Sequence, residues 1–203
     1  MARQQMPGAV YLSPEKLTEK ALEYKKAGNI GVAFTYNEPL AGWEYVRDAA
    51  RLIKKAGMKS VLVTNGTASL EVLDELLPYI DAMNIDLKGF REDYYKKLGG
   101  SLKTVKEFIV HAAERCHVEL TTLIVPGEND SADEMKEEAE WIASVPAYTA
   151  QGVKVKQAGI PLHVTRFFPR YQMTGHSATD VQDVYRLANI AAKYLEYVFT
   201  GNC

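Results

Sequence analysis

The feature that most constrains this chain is a regular alternation of short apolar runs with segments of helical periodicity. Capping and turn residues separate the two; Ser13, Pro14 and Glu15, for example, predict the start of the first helix. This alternation predicts βαβ units with right-handed crossovers and a parallel sheet. The predicted strands cover residues 30–36, 60–64, 83–88, 117–125, 162–167 and 197–200. The predicted helices cover about 14–27, 43–57, 70–77, 93–97, 102–112, 132–144 and 180–194.

Composition narrows the class of protein. The 203 residues are 47% hydrophobic and 25% charged with a net charge of −2, which predicts one globular domain, 1–203, without a nucleic-acid-binding surface. No apolar run approaches the roughly 20 residues of a membrane span, and the start has no signal-peptide core, so we expect a cytoplasmic protein without a membrane partner. The two cysteines, Cys116 and Cys203, are far apart and no zinc-ligand spacing occurs, which excludes a disulfide scaffold and a self-contained iron–sulfur protein.

The predicted strands sort polar and apolar side chains onto opposite faces. Asn84, Asp86 and Lys88 alternate with Met83, Ile85 and Leu87, and residues two apart in a strand share a face. Similar polar faces carry His117, Glu119 and Thr121; His163 and Thr165; and Ala33, Thr35 and Asn37. Burying such groups without partners costs about 1–3 kcal/mol each. The pattern therefore predicts an open or incomplete barrel whose concave interior holds a polar ligand; the alternative is a sheet with one solvated face.

The candidate chemistry follows the strands, because ligands bind at the carboxyl ends of parallel strands. Glu38, fixed by Pro39, is suited to hold an ammonium group; alternatively, Asn37 caps a helix that begins at Pro39. Asn65 offers a donor and an acceptor, and Gly66 lets a ligand approach the backbone, although Asn-Gly is also a common turn.

Lys88 allows three interpretations. It forms a structural ion pair with Asp86, or binds a carboxylate, or acts as a Schiff-base nucleophile. Val125, at the end of an apolar strand, is suited either to contact a flat base or to pack in the core. His163 is suited either to the rim of the site or to a core position with a hydrogen-bonding partner.

Taken together and in order, six segments resemble the radical S-adenosylmethionine (SAM) enzymes. Within that superfamily they resemble the pyruvate formate-lyase activating enzyme-like group, in particular the radical SAM enzyme of the AmmeMemoRadiSam system. The segments are Phe34-Thr35-Tyr36-Asn37-Glu38-Pro39, Val63-Thr64-Asn65-Gly66, Met83-Asn84-Ile85-Asp86-Leu87-Lys88, Thr121-Thr122-Leu123-Ile124-Val125-Pro126-Gly127, His163-Val164-Thr165-Arg166-Phe167-Phe168-Pro169 and Tyr197-Val198-Phe199-Thr200-Gly201-Asn202.

The resemblance implies a fold, a cofactor and a set of binding residues. The fold is an α/β partial (β/α)6 barrel, and the cofactor is SAM, which a [4Fe–4S] cluster cleaves to a 5′-deoxyadenosyl radical that attacks a small-molecule or protein substrate. The resemblance assigns Asn37 and Glu38 to the SAM amino group, Asp86 and Lys88 to its methionine end, Asn65 to the same pocket, Val125 to the adenine and His163 to the ribose.

The chain also departs from the family pattern. The C-x3-C-x2-C loop that would hold the cluster is absent, and residues 1–5 resemble the segment just beyond it. We therefore expect a barrel truncated at both ends that lacks its first strand, with the cluster present only in a longer parent protein and this chain inactive alone. Residues 148–159 form a longer stretch than the family pattern has. Without a first strand the edge at 30–36 is exposed, which favours dimerisation or aggregation.

Two alternatives to a radical SAM enzyme stay open. One is an aldolase-like barrel in which Lys88 forms a Schiff base with a carbonyl substrate. The other is a non-catalytic SAM-binding or scaffold barrel that has the fold without the chemistry.

Overall fold

The computed structural model describes residues 10–148, 154–155, 159–170, 173, 175 and 177–203. Its centre is a parallel sheet of six strands in the order β1-β2-β3-β4-β7-β8. These strands are β1 (Gly31–Phe34), β2 (Lys59–Thr64), β3 (Ala82–Asp86), β4 (His117–Ile124), β7 (Leu162–Arg166) and β8 (Val198–Gly201). The predicted parallel α/β sheet is confirmed, and β1 and β8 are its edges.

The described residues contain seven α-helices, the first before β1 and the others between strands, and local signals in the sequence explain where several of them begin. They are α1 (Pro14–Glu23), α2 (Trp43–Lys55), α3 (Leu70–Leu76), α4 (Glu92–Lys97), α5 (Leu102–Ala113), α6 (Ala132–Ser144) and α7 (Val181–Ala191). Ser13, Ser69, Ser101 and Asp180 each accept a hydrogen bond from a backbone N–H of the first turn. No helix within the described ranges is long and apolar enough to cross a membrane.

The first strand is shorter than predicted. The chain leaves the sheet after Phe34, which pairs with Leu62, so Thr35 and Asn37 do not share a strand face with Ala33. Beyond Phe34, the Glu38 carboxylate is bonded to the end of β2 and accepts from the N–H of Leu40, at the start of a 3-10 turn. These bonds hold the segment in a loop. The predicted Asn37 cap is wrong, since Glu38 is the capping residue.

The sequence Ser131-Ala132-Asp133-Glu134 has the residue pattern of a capping box, and the structure contains half of it. Ser131 Oγ accepts from the Glu134 N–H at 3.1 Å, as a cap should, but the Glu134 carboxylate accepts instead from the Phe90 N–H at 2.6 Å. Between α6 and β7, a hairpin pairs β5 (Ala147–Tyr148) with β6 (Lys154–Val155). Residues 149–153 and 156–158, like residues 1–5, lie outside the described residues.

The two faces of the sheet differ as the alternation predicts. Leu62, Ile85 and Leu120 are fully buried and belong to the same apolar cluster as Phe108 of α5. On the opposite face, Asn84, Glu119, Thr121 and His163 are each only partly buried. The helices therefore cover one face, and the other lines an open concavity.

Candidate functional site

A cleft of about 670 Å³ lies at the carboxyl ends of β2, β3 and β4. Three of the seven predicted binding residues line it, namely Asn65, Lys88 and Val125. Its other walls include Leu123 and the two tyrosines of α4, Tyr94 and Tyr95. Asn37, Glu38, Asp86 and His163 do not line the cleft themselves, but Glu38 and Asp86 bond to residues that do.

Lys88 is the cation of this cleft. Its Nζ lies 2.5 Å from Asp86 Oδ2, and both side chains are about one-third exposed. Its backbone N–H donates to Tyr95 Oη at 3.0 Å, and the backbone carbonyl accepts from Asn129. Lys88 and Asp86 therefore form the ion pair that one of the three interpretations predicts. The ammonium group still has hydrogens that can donate to a second acceptor.

Glu38 connects the loop after β1 to the end of β2. One carboxylate oxygen accepts from Thr64 Oγ1 at 2.6 Å and from the Leu40 N–H; the other accepts from the Asn65 N–H at 2.8 Å. A carboxylate has about four acceptor positions, so one remains for an outside donor. Asn37, immediately before it, is exposed.

His163 faces the concavity rather than the cleft. Its Nε2 lies 2.7 Å from one Glu119 oxygen, His117 Nε2 lies 3.1 Å from the other, and the His163 ring stacks on Phe199 with centroids 5.3 Å apart. Burial alone would raise the pKa of Glu119, but the hydrogen bonds from His117 and His163 outweigh it, so this pKa lies below its ordinary value. The arrangement is a carboxylate held between two imidazoles.

Several residues that shape the cleft carry no signal in the sequence. Tyr95, Asn129 and Glu134 are each less than 5% exposed, and each bonds to the backbone of residues 88–90. Asn129 and Asp130 follow Pro126-Gly127, a composition that indicates a turn but not the partners of Asn129. Tyr95 falls in the short helix predicted over 93–97, which indicates no partner for its hydroxyl group.

The cleft fits a ligand that carries both a carboxylate and a flat ring, because it joins an ammonium, a side-chain amide and an apolar wall. The described residues do not fit an iron–sulfur cluster. Cys116 is buried in the apolar core, where burial raises the pKa of its thiol to about 12, and Cys203 is exposed. Within the described ranges no group of three or more His, Cys, Asp or Glu side chains is arranged to hold a metal ion.

Sequence comparison points to one superfamily. The model of the radical SAM superfamily matches residues 2–142. The chain is 33% identical over 194 residues to an uncharacterized protein of Methanocaldococcus jannaschii, covering 94% of this chain and 54% of that protein. It is 31% identical over 133 residues to pyruvate formate-lyase 1-activating enzyme of Escherichia coli, covering 62% of this chain and 54% of the enzyme. The chain thus spans about half the length of these curated relatives.

Solved structures share the fold. A domain of pyruvate-formate lyase-activating enzyme from Bacteroides vulgatus superposes with a TM-score of 0.69 at 18% identity, covering 85% of this chain and 99% of that domain. Streptococcus suis SuiB, solved bound to S-adenosylmethionine, superposes with a TM-score of 0.73 at 13% identity, covering 98% of this chain and 46% of SuiB. The resemblance inferred from the six segments is confirmed at the level of the superfamily, and relatives named pyruvate formate-lyase activating enzymes are among the proteins that the chain is similar to. Because the family model matches residues 2–142 and the sheet is that of a partial barrel, this chain belongs to the radical SAM superfamily.

Proposed function

We propose that this chain is the SAM-binding barrel of a radical SAM enzyme resembling the pyruvate formate-lyase activating enzymes, and that SAM occupies the cleft at the ends of β2, β3 and β4. The observation that carries the proposal is the joint placement of Asn65, Lys88 and Val125 in one cleft of a chain that belongs to this superfamily. When bound beside a reduced [4Fe–4S] cluster, SAM supplies a 5′-deoxyadenosyl radical.

Lys88 is proposed to bind the SAM carboxylate. Its ammonium keeps donors beyond the one directed at Asp86, and Asp86 holds the side chain in place across the 2.5 Å contact. Asn65 donates beside it through Nδ2, since its Oδ1 already accepts from the N–H and the hydroxyl of Thr67. Val125, 3% exposed, closes the apolar wall against which the adenine lies.

Glu38 is proposed to accept from the SAM ammonium with the one acceptor position that its own chain leaves open. Asn37 precedes it on the same exposed loop and completes that contact. His163 is proposed to reach the ribose from the concave face, while its bond to Glu119 sets the orientation of the ring.

Calorimetric titration of SAM into the 203-residue chain tests the cleft assignment. We expect saturable binding at one site and an affinity about 10- to 100-fold lower in Lys88→Met, which removes a charge-assisted bond while keeping the length of the side chain. The matched control is Lys136→Met, since Lys136 is exposed on α6, away from the cleft, and lies 3.9 Å from Glu140 on the same helix. A folded wild-type chain that takes up no SAM contradicts the proposal, and so does an equal loss in both variants.

The same titration tests the scaffold alternative, and borohydride trapping tests the aldolase-like one. A scaffold barrel without SAM chemistry needs no affinity for SAM, whereas an aldolase-like barrel is trapped by borohydride on Lys88 in the presence of a carbonyl substrate. Lys88 Nζ lies 2.5 Å from Asp86 Oδ2, and a Schiff base on Lys88 would have to break this ion pair, so we expect no trapping.

The identity of the parent protein has its own test. We expect the encoding DNA upstream of Met1 to contain an in-frame C-x3-C-x2-C motif. A longer protein that includes it, reconstituted with iron and sulfide without oxygen, is expected to become brown and to release 5′-deoxyadenosine from SAM. The absence of both the motif and the cleavage would overturn the enzyme assignment and leave SAM binding to be judged by calorimetry alone.

A further inference from the structure

Asn129 joins two walls of the cleft. Its side chain is 2% exposed and lies in the turn between β4 and α6. The amide Nδ2 donates to the Lys88 carbonyl at 2.8 Å and to the Leu123 carbonyl at 2.9 Å, and Oδ1 accepts from the Val125 N–H at 2.7 Å. Both donors of the amide are used inside the protein, which is the arrangement expected of a buried amide with a structural task.

These bonds cross from one strand to the next at the point where the sheet ladder has ended. The last paired residues of β3 and β4 are Asp86 and Thr121, followed by a bond from the Leu87 N–H to the Thr121 carbonyl. Beyond Leu87 no strand pairing holds Lys88 against Val125. The side chain of Asn129 takes the place of strand pairing here, because its planar amide group bonds to the backbone of both Lys88 and Val125.

Two further side chains bond to the backbone on either side of Gly89. Tyr95 Oη accepts from the Lys88 N–H, and Glu134 accepts from the Phe90 N–H. A Cβ on Gly89 would lie 3.0 Å from Tyr94, 3.1 Å from Glu134 and 3.2 Å from Asn129, so the segment packs tightly against the groups that hold it. Of these side chains, Asn129 bonds to both walls.

We infer that Asn129 is a positioning residue for the cofactor cleft, which holds the backbone of Lys88 at a fixed separation from Val125 and thereby sets the distance between the carboxylate-binding cation and the apolar wall. The inference rests on the proposed function, since that separation matters only if one ligand contacts both sides. Asn129 acts through the backbone of Lys88 and Val125.

Two variants dissect the two halves of the link. Asn129→Ala removes all three bonds. Asn129→Asp has almost the same shape and keeps the acceptor for the Val125 N–H, but it loses both donors and places a carboxylate oxygen beside two carbonyls. We expect the affinity for SAM to fall about tenfold in each variant. A change of this size corresponds to roughly one lost hydrogen bond in a buried network.

The matched control is Asn29→Ala. Asn29 is also an amide that links two segments, donating to the Ala21 carbonyl at 3.0 Å and accepting from the Gly31 N–H at 3.3 Å, but it lies at the opposite end of β1 from the cleft. Removing it lowers stability without moving Lys88 or Val125. We therefore expect Asn29→Ala to lower the melting temperature while SAM affinity stays within twofold of wild type.

Native-state hydrogen exchange of backbone amides provides a readout independent of SAM. The Val125 amide is expected to stay protected in Asn129→Asp and to lose protection in Asn129→Ala, whereas the Lys88 amide exchanges faster in both. If Asn129→Ala does not fold, Asn129→Asp and Tyr95→Phe, which removes the acceptor for the Lys88 N–H, carry the same comparison.

The outcomes separate the two proposals. If wild type binds SAM while both Asn129 variants bind it equally well, the positioning role is wrong and the proposed function stands. An equal loss of affinity in Asn29→Ala also overturns it, because the effect would then be general destabilisation. If wild type does not bind SAM, the proposed function fails; unchanged exchange at Lys88 and Val125 would then refute the link itself.

Discussion

The two faces of the sheet contrast in what their side chains do. Ile85 and Leu120 of the covered face are fully buried against α5, whereas Asn84, Glu119 and His163 of the open face are half-buried and bond to side chains of the same face, Asn84 to Thr121 and Glu119 to His163. One face stabilises the fold, and the other provides groups that a ligand can displace or join. Substitutions on the two faces should therefore separate stability from SAM binding.

The largest expected effect is on the covered face. Phe108→Ala removes a fully buried ring from the core, and we expect the free energy of unfolding to fall by about 3–5 kcal/mol. Urea unfolding measures the loss. At a temperature where the variant is still folded, its affinity for SAM should match that of wild type. A fall of less than about 1 kcal/mol in the free energy of unfolding, or a selective loss of SAM affinity, would contradict the contrast between the two faces.

Next in size is a pH dependence that comes from the covered face. Glu138 of α6 is fully buried with Thr122 Oγ1 at 2.5 Å, and burial raises the pKa of its carboxyl to about 8. Folding favours the protonated form, so this contribution to stability is complete below the unfolded pKa of about 4.5 and is lost as the pH rises through about 8. Between pH 6 and pH 8 the free energy of unfolding should fall by about 2 kcal/mol.

Urea unfolding at several pH values measures this slope, and Glu138→Gln is the variant that should flatten it. Burial also raises the pKa of the neighbouring Glu134, which adds a slope of the same sign. Glu134→Gln therefore serves as the second variant. A slope that is the same in wild type and Glu138→Gln refutes the assignment to Glu138.

A smaller effect is expected on the open face. Glu119→Gln weakens the contacts to His117 and His163, but the three side chains are about one-third exposed, so we expect a change of about 1 kcal/mol or less in the free energy of unfolding. The substitution should instead change the NMR chemical shifts of the His163 ring, because its contact to Glu119 is altered. A loss of several kcal/mol would show that the open face carries stability too.

The reactivity of the two cysteines compares the covered core with an exposed position without any substitution. Cys116 belongs to the covered core, and burial raises the pKa of its thiol to about 12; Cys203 is exposed. Ellman's reagent should react at once with one thiol per chain and with the second only after denaturation. Equal rates for the two would indicate that the core around Cys116 opens readily.

The sequence predicts the fold well because the signals for it are local. The alternation of strands and helices depends only on neighbours in the chain. So does the two-residue period that places Asn84 and Asp86 on the face of β3 opposite to Ile85. The sequence does not predict the end of β1 at Phe34. That end depends on hydrogen bonds from Thr64 and Asn65 to Glu38, and these two residues lie 26 and 27 positions after Glu38. The same limit explains Glu134, which satisfies the local capping pattern but bonds to Phe90, 44 positions earlier.

The site is predictable in part. The sequence indicates Asn65, Lys88 and Val125 because each follows a strand, and the carboxyl ends of parallel strands meet at one edge. The depth of the cleft is set by Tyr94 and Tyr95, whose helical position predicts only burial. Asn129 could not be identified, because its three partners are known only once the ends of β3 and β4 are adjacent.

The order of the strands has a consequence for how the chain is made. Each strand from β2 to β4 lies beside the one synthesised just before it, and β7 and β8 continue the series on the same side. A nascent strand leaving the ribosome therefore has its pairing partner already available. Assembly can follow the direction of translation without waiting for the carboxyl terminus. Because β1 has no neighbour on its outer edge among the described strands, an additional strand encoded upstream could join the sheet there without displacing any existing pairing.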